Sequence, residues 1–279
     1  MPGGGNNVLI TNIYFFRGEK GGLFLQEMHC PIKWDLARVM ERMSSFYIIK
    51  AGDIRDYAHL EKHIERDICP ALVLYSARIY GEISDKVSSL AQIFQFIFLS
   101  LVIHQDTNED RQIKESCTDP RDGCQYPVLV GDYLCGRFFT TLCEADIIEY
   151  LDPLSEIICM INEGSILRLK SQRGEKVAPG CREEIIRLEK AEMLAGCCRL
   201  GGHLAGADRE SQNYLHRFGF ALGMGLGMSR IEMFDRAEVY FKEALSFLDC
   251  LKPGNGREDL RGLLVFLRAK IKDSQRMVC

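Results

Sequence analysis

From Trp34 to Ser274 apolar residues recur every three to four positions, and almost nowhere every two. A chain with that period closes its core by packing helix on helix. Residues 34–50 place Leu36, Val39, Met40, Met43, Phe46 and Ile49 at helical spacing. Residues 55–66 and 70–81 read as two helices, with Pro70 at the first position of the second. Residues 85–108 contain the longest apolar run, Ile93 to Ile103, well short of the ~20 residues that span a bilayer. A helix apolar all round is a buried one. Phe94, Phe96 and Phe98 point in different directions around it, which predicts burial by its own bundle and by a dimer partner. Residues 110–126 are polar and read as a surface loop. Helices are then expected over 127–143, 146–171, 180–200, 207–228, 230–251 and 256–274, with Gly180, Gly206, Pro253, Gly254 and Gly256 between them. Residues 6–16 alone have a strand pattern, and 17–33 read as irregular. The expected domains are an N-terminal extension over 1–33 and one all-α domain of about nine to eleven helices over 34–279.

Composition removes several function classes. Hydrophobic residues make up 47% of 279, enough for a large core without disulfide or metal staples. Lys and Arg number 35 against 39 Asp and Glu, so the basic face of a nucleic-acid binder is not expected. The opening MPGGGNNVLITN lacks a basic segment followed by an apolar one, which predicts a cytoplasmic protein whose 12 cysteines are mostly reduced and buried. Cys117, Cys124, Cys135 and Cys143 follow no zinc-site spacing. Gly223, Gly225 and Gly227 form a loose G-x-G-x-G, but with helix on both sides they predict close helix packing rather than a nucleotide loop. Met224, Met228 and Met233 read as core filler.

Five segments carry a resemblance. They are PALVLYSARIYG at 70–81, VLVGDYLCGRFF at 128–139, EGSILRLK at 163–170, EEIIRLEKAEMLAGCCRLGGHLAG at 183–206 and GFALGMGLGMSRIEMF at 219–234. In order and spacing they resemble the trans-isoprenyl diphosphate synthase (polyprenyl synthetase) family, over roughly residues 35–270. The resemblance implies an isoprenoid synthase-like bundle around a deep central cavity. It also implies a chemistry. An allylic diphosphate ionises, isopentenyl diphosphate attacks the carbocation, and a proton leaves. Mg²⁺ ions held by two D-D-x-x-D motifs on facing helices neutralise the leaving diphosphate. Lys and Arg in a G-K-R-x-R-P segment hold the second diphosphate.

By that resemblance this chain departs from every chemical element. The first motif falls on Gln105–Glu109, where Asp106 alone matches, Gln105 replaces a carboxylate and Glu109 is a longer substitute. The arginine pair after it falls near Lys114–Glu115. The second motif falls on Arg230–Phe234, with Arg230, Ile231 and Phe234 in place of its aspartates. The cationic segment before Pro70 retains only Arg66, the K-T lysine becomes Lys190 followed by Ala191, and the G-E-x-x-Q glutamine becomes Arg168. Arg66, Lys190 and Arg230 are the remaining candidate diphosphate contacts. Asp106, Glu109 and Asp110 share a helix face and are either a drifted Mg²⁺ site or a solvated acidic helix end; Glu232 with Asp235 presents the same choice. His104 reads as a packed residue rather than a base.

No residue is assigned a catalytic role. Losing ligands from both motifs removes several kcal/mol of charge stabilisation. The expected function is therefore a non-catalytic subunit of a polyprenyl diphosphate synthase, paired with a catalytic chain. The alternatives are an active, atypical prenyltransferase, homodimeric and Mg²⁺-dependent, or a lipid-binding scaffold holding a prenyl diphosphate or other apolar ligand in the same cavity. In each case a dimer would pack through 85–108.

Overall fold

The computed structural model describes residues 31–49, 52–53, 65–105 and 122–276. Apart from two antiparallel two-residue strands, Ile48–Ile49 and Gly52–Asp53, these residues form helices and their connections. In chain order they are α1 (Lys33–Tyr47), α2 (Glu65–Arg78), α3 (Asp85–Gln105), α4 (Asp122–Glu144), α5 (Leu151–Gln172), α6 (Cys181–Ile186), α7 (Glu192–Leu204), α8 (Arg209–Arg230), α9 (Phe234–Asp249) and α10 (Asn255–Arg276). A 3₁₀ turn, Ile148–Tyr150, precedes α5, and a π-helical turn, Arg187–Ala191, joins α6 to α7. The strand pattern at 6–16 and the extension over 1–30 lie outside the described residues.

α3 is the axis of the bundle. It packs against α4, α2, α1 and α7, and Phe94 and Phe96 are fully buried. Phe96 meets Phe46 of α1 edge-on at 5.5 Å, while the Phe94 ring is turned toward Gly196 of α7. The different directions read from the sequence are therefore real, but the chain's own helices cover them. Its length and hydropathy would let α3 cross a membrane, yet 78% of that stretch is buried inside the fold. The expectation that this helix offers an apolar face to a partner is corrected: its apolar side chains from Val87 to Leu99 are buried by the chain's own helices, and the exposed large apolar side chains among the described residues lie on other elements, such as Trp34 of α1, Leu129 and Phe139 of α4, Ile166 of α5, Val239 of α9 and Val265 of α10.

Three boundaries also differ. Pro70 lies inside α2, not at a helix start. Its ring holds the φ a helix needs, and the helix forgoes one backbone donor there. Residues 122–126 belong to α4 rather than to a surface loop. The helix expected over 230–251 begins only at Phe234. Cysteines were expected to be mostly buried. Cys69, Cys197 and Cys198 are, whereas Cys143, Cys159 and Cys250 are exposed. Burial pushes the Cys198 thiol up to about 12 and raises that of Cys197, so both stay protonated and unreactive.

Candidate functional site

α8 brings the diagnostic positions together. Asp208 caps its start, accepting from the Ser211 amide at 2.7 Å. Gly219, Gly223 and Gly227 then fall one turn apart on the face against α7, the π turn and the end of α6. A Cβ on Gly223 would stand 2.5 Å from Ala191 Cα and 3.2 Å from the Lys190 carbonyl oxygen, and one on Gly219 would meet the Leu194 backbone. Only glycine permits backbones this close. The packing reading of Gly223, Gly225 and Gly227 is the one the structure adopts, with Gly225 against the Phe241 ring of α9 and Gly227 against Ile186 of α6. It places the last turn of α8, with Arg230, beside Ile186 and the π turn that carries Lys190.

The π turn also aims a carboxylate into the interior, which the sequence reading missed. Glu189, with 11% of its side chain exposed, accepts from Ser165 Oγ and from Arg168 Nε, both at 3.0 Å. Gly164 makes room, since a Cβ there would stand 2.8 Å from Glu189 Cγ. Arg168, on the glutamine position of the resemblance, is thus bound to an internal carboxylate. The sequence offered only a Gly164–Ser165 pair within the helix expected over 146–171 and an acid within the helix expected over 180–200. Nothing in the local spacing, however, foretold the π turn that aims it inward.

A second network surrounds it. Arg187 donates to Glu184 at 2.9 and 2.7 Å and to Glu192 at 2.7 Å, and His216 Nε2 lies 3.7 Å from Glu192. His216, and behind it Arg187, hold the Glu192 carboxyl below its usual range, and Arg187 does the same for Glu184. Glu183 accepts from Arg236 at 2.6 Å and from the Tyr240 hydroxyl at 3.0 Å, tying α9 to α6.

The second-motif segment is not one helical face. Met233 N–H bonds the Met228 carbonyl at 3.0 Å and Glu232 N–H bonds that of Ser229 at 3.2 Å, with Glu232 at φ 62°. This is a Schellman stop, whose left-handed position usually takes glycine. Arg230 is the exposed last residue of α8, where a cation suits the negative end of the helix dipole. Phe234 starts the next helix. Arg230, Ile231 and Phe234 supply no oxygen ligand, and Glu232 and Asp235 sit on a turn and a new helix rather than one turn apart. The donor set does not fit Mg²⁺, which takes carboxylate and substrate oxygens. No group of three His, Cys, Asp or Glu among the described residues could hold a metal ion.

Of the remaining candidates, Gln105 is the last residue of α3 and Arg66 the second of α2. Asp106, Glu109, Asp110 and Lys114–Glu115 lie outside the described residues. An interior hollow of about 180 Å³ lies between α4 and α5, floored by Phe96, Ile97, Ser100 and Leu101 of α3. That is below the ~300–1,000 Å³ of most small-ligand sites.

Comparison with known proteins adds independent support. The family model for polyprenyl synthetase matches residues 57–226. Octaprenyl diphosphate synthase of Escherichia coli is 22% identical over 198 residues, covering 67% of this chain and 58% of the relative. Heptaprenyl diphosphate synthase component 2 of Geobacillus stearothermophilus is 24% identical over 203 residues, covering 72% and 63%. The chain thus spans about three fifths of the length of these relatives. Among solved structures, the polyprenyl synthase of Caulobacter crescentus, complexed with calcium and isoprenyl diphosphate, superposes with a TM-score of 0.70. The match has 19% identity and covers 84% of this chain and 94% of that one. With the helical order, the glycine-packed α8 and a family match over more than half its length, the chain belongs to the polyprenyl synthetase family.

Proposed function

We propose that this chain is a non-catalytic subunit of a polyprenyl diphosphate synthase, acting in isoprenoid synthesis beside a catalytic partner. The observation that carries the proposal is the turn after α8. Where the family resemblance calls for a second set of metal-binding aspartates, the chain has a helix stop bearing Arg230, Ile231 and Phe234. The framework that would present those carboxylates is retained while the carboxylates are absent. Arg168, a second position on the same rim, is neutralised by Glu189. The relative from G. stearothermophilus is named as a component of its synthase, which supports a division of labour between chains.

The test uses the pure full-length chain with Mg²⁺, farnesyl diphosphate and labelled isopentenyl diphosphate, alone and with a polyprenyl synthase chain bearing both aspartate motifs. No product is expected alone, and altered product length or rate is expected on mixing. Product from the chain alone, diminished by Asp106→Ala, establishes instead an atypical enzyme. No effect in either arm removes the subunit reading.

A further inference from the structure

The connection from α5 to α6 concentrates positive charge that no acid among the described residues answers. Between Lys170 and Arg182 there are four Lys or Arg and one Asp or Glu, a net +3 in a chain whose total is −4. Lys170, Arg173, Lys176 and Arg182 are all exposed, and none of them forms an ion pair among the described residues. Local structure fixes the path between them. α5 ends where the Glu175 N–H bonds the Lys170 carbonyl at 3.1 Å and the Gly174 N–H bonds that of Ser171 at 3.2 Å, with Gly174 at φ 72°. The chain turns again at Gly180, φ 84°, whose carbonyl accepts from the Glu183 and Glu184 amides of α6. Both turns use the left-handed conformation that glycine adopts freely.

A cavity of about 670 Å³ lies at this connection, within the range of small-ligand sites. Lys170 and Lys176 line it beside Leu167, Val177 and Pro179. The two acids that also line it are already neutralised, Glu183 by Arg236 at 2.6 Å and Glu184 by Arg187 at 2.7 Å. The two lysines are therefore the uncompensated charges of the cavity. Lysine binds phosphate as a point charge, and the apolar wall suits a body attached to that phosphate. Val177 is 36% exposed beside it. No aromatic ring lines the cavity, so the stacking platform that single-stranded nucleic acid uses is missing. One short loop also falls below the roughly 20–30 residues that each side of a protein interface takes. An anionic lipid surface asks for less: a few cations and a shallow apolar contact.

We infer that the α5–α6 connection meets an anionic lipid surface, with a phosphate headgroup seated between Lys170 and Lys176 and Val177 at the acyl boundary. This stands apart from the subunit reading and requires neither turnover nor a partner chain. The test is co-sedimentation of the full chain with vesicles of phosphatidylcholine alone and of phosphatidylcholine with phosphatidylserine, in low and high salt. Binding is expected to the anionic vesicles only, and to fall with salt. Lys170→Gln/Lys176→Gln should weaken partitioning by about thirtyfold. Val177→Asp should weaken what binding remains at high salt. Lys252→Gln, beyond the end of α9 remote from the Arg236–Glu183 pair, should leave binding unchanged. Equal binding to phosphatidylcholine alone, an unchanged affinity in the double lysine variant, or an equal loss in Lys252→Gln each overturns the inference, because the charge of this connection then decides nothing. Saturable binding of glycerol phosphate by the protein, with none to vesicles, makes the cavity a site for a soluble phosphate and overturns the lipid surface. Binding of an RNA oligomer in place of vesicles overturns it as well.

Discussion

The body of α8 and the turn that ends it obey different constraints. From Gly219 to Gly227 the helix is pressed so closely on α7, the π turn and the end of α6 that a Cβ at Gly219, Gly223 or Gly227 would clash. Three residues later Arg230 is exposed, Glu232 takes a left-handed conformation, and the chain turns away. The first region is determined by neighbours on every side; the second is set by the backbone bonds that end a helix, with Ile231 packed against the core. A lineage that lost its chemistry would preserve the first and let the second drift. That is the physical content of the proposal that this chain is a non-catalytic subunit.

The comparison breaks first if the helix body tolerates side chains. Gly219→Leu should destabilise by ~3 kcal/mol or more, because the obstruction is the Leu194–Ala195 backbone rather than a flexible side-chain tip. Alanine at the same site should still be destabilising, although alanine favours a helix by ~1 kcal/mol over glycine. Urea unfolding measures both. A neutral Gly219→Ala would mean the helices are not in this contact.

The next effect concerns the rim. Glu189→Gln leaves Arg168 beside an uncharged amide and should cost about 2–3 kcal/mol, while replacing both, Glu189→Gln with Arg168→Met, should recover part of that loss. If Glu189→Gln alone has no effect, the ion pair is not what holds the π turn against α5.

Acid titration separates the two networks further. The Glu192 and Glu184 carboxyls are depressed in the folded state, so their contribution is full above the ordinary carboxylate range and is lost as pH falls through the lowered values. Stability should therefore decline below about pH 4.5, and Glu192→Gln should flatten that decline. An unchanged acid slope in Glu192→Gln would remove the His216–Glu192–Arg187 network from the account.

Much of the fold was legible because its signals are local. The helical period and the all-round apolar stretch at 85–108 each mark an element without reference to anything distant. The covering of α3 was not, since one sequence says that a face is apolar but not whether its own chain or another covers it. Pro70 misled because a proline marks a helix start by habit, whereas here α2 runs through it and forgoes one backbone hydrogen bond. At the site, the resemblance located Arg230 and Lys190, but i, i+4 spacing implied one helical face. The helix stops between the two positions, because the bonds to Met228 and Ser229 cap it. The Glu189–Arg168 pair depends on a π turn, which has no sequence period to announce it.

The smallest effects are at the turn itself. Arg230→Asp removes a cation from the negative end of α8 and should lower stability by ~0.5–1 kcal/mol, with no turnover gained, since Ile231 and Phe234 remain. Glu232→Gly acts the other way. A non-glycine residue at left-handed φ loses about 1–2 kcal/mol to the clash of its Cβ with the following carbonyl, and Glu232 holds φ 62°. Glycine removes that strain but adds freedom to the unfolded chain, which returns roughly 0.5–1 kcal/mol. The expected net gain is a few tenths to about 1 kcal/mol, visible as a raised urea midpoint with unchanged slope. A lower midpoint would mean that the Glu232 side chain contributes a contact outweighing its strain. The turn would then be a built feature rather than a relaxed helix end, and the contrast with the body of α8 would have to be abandoned.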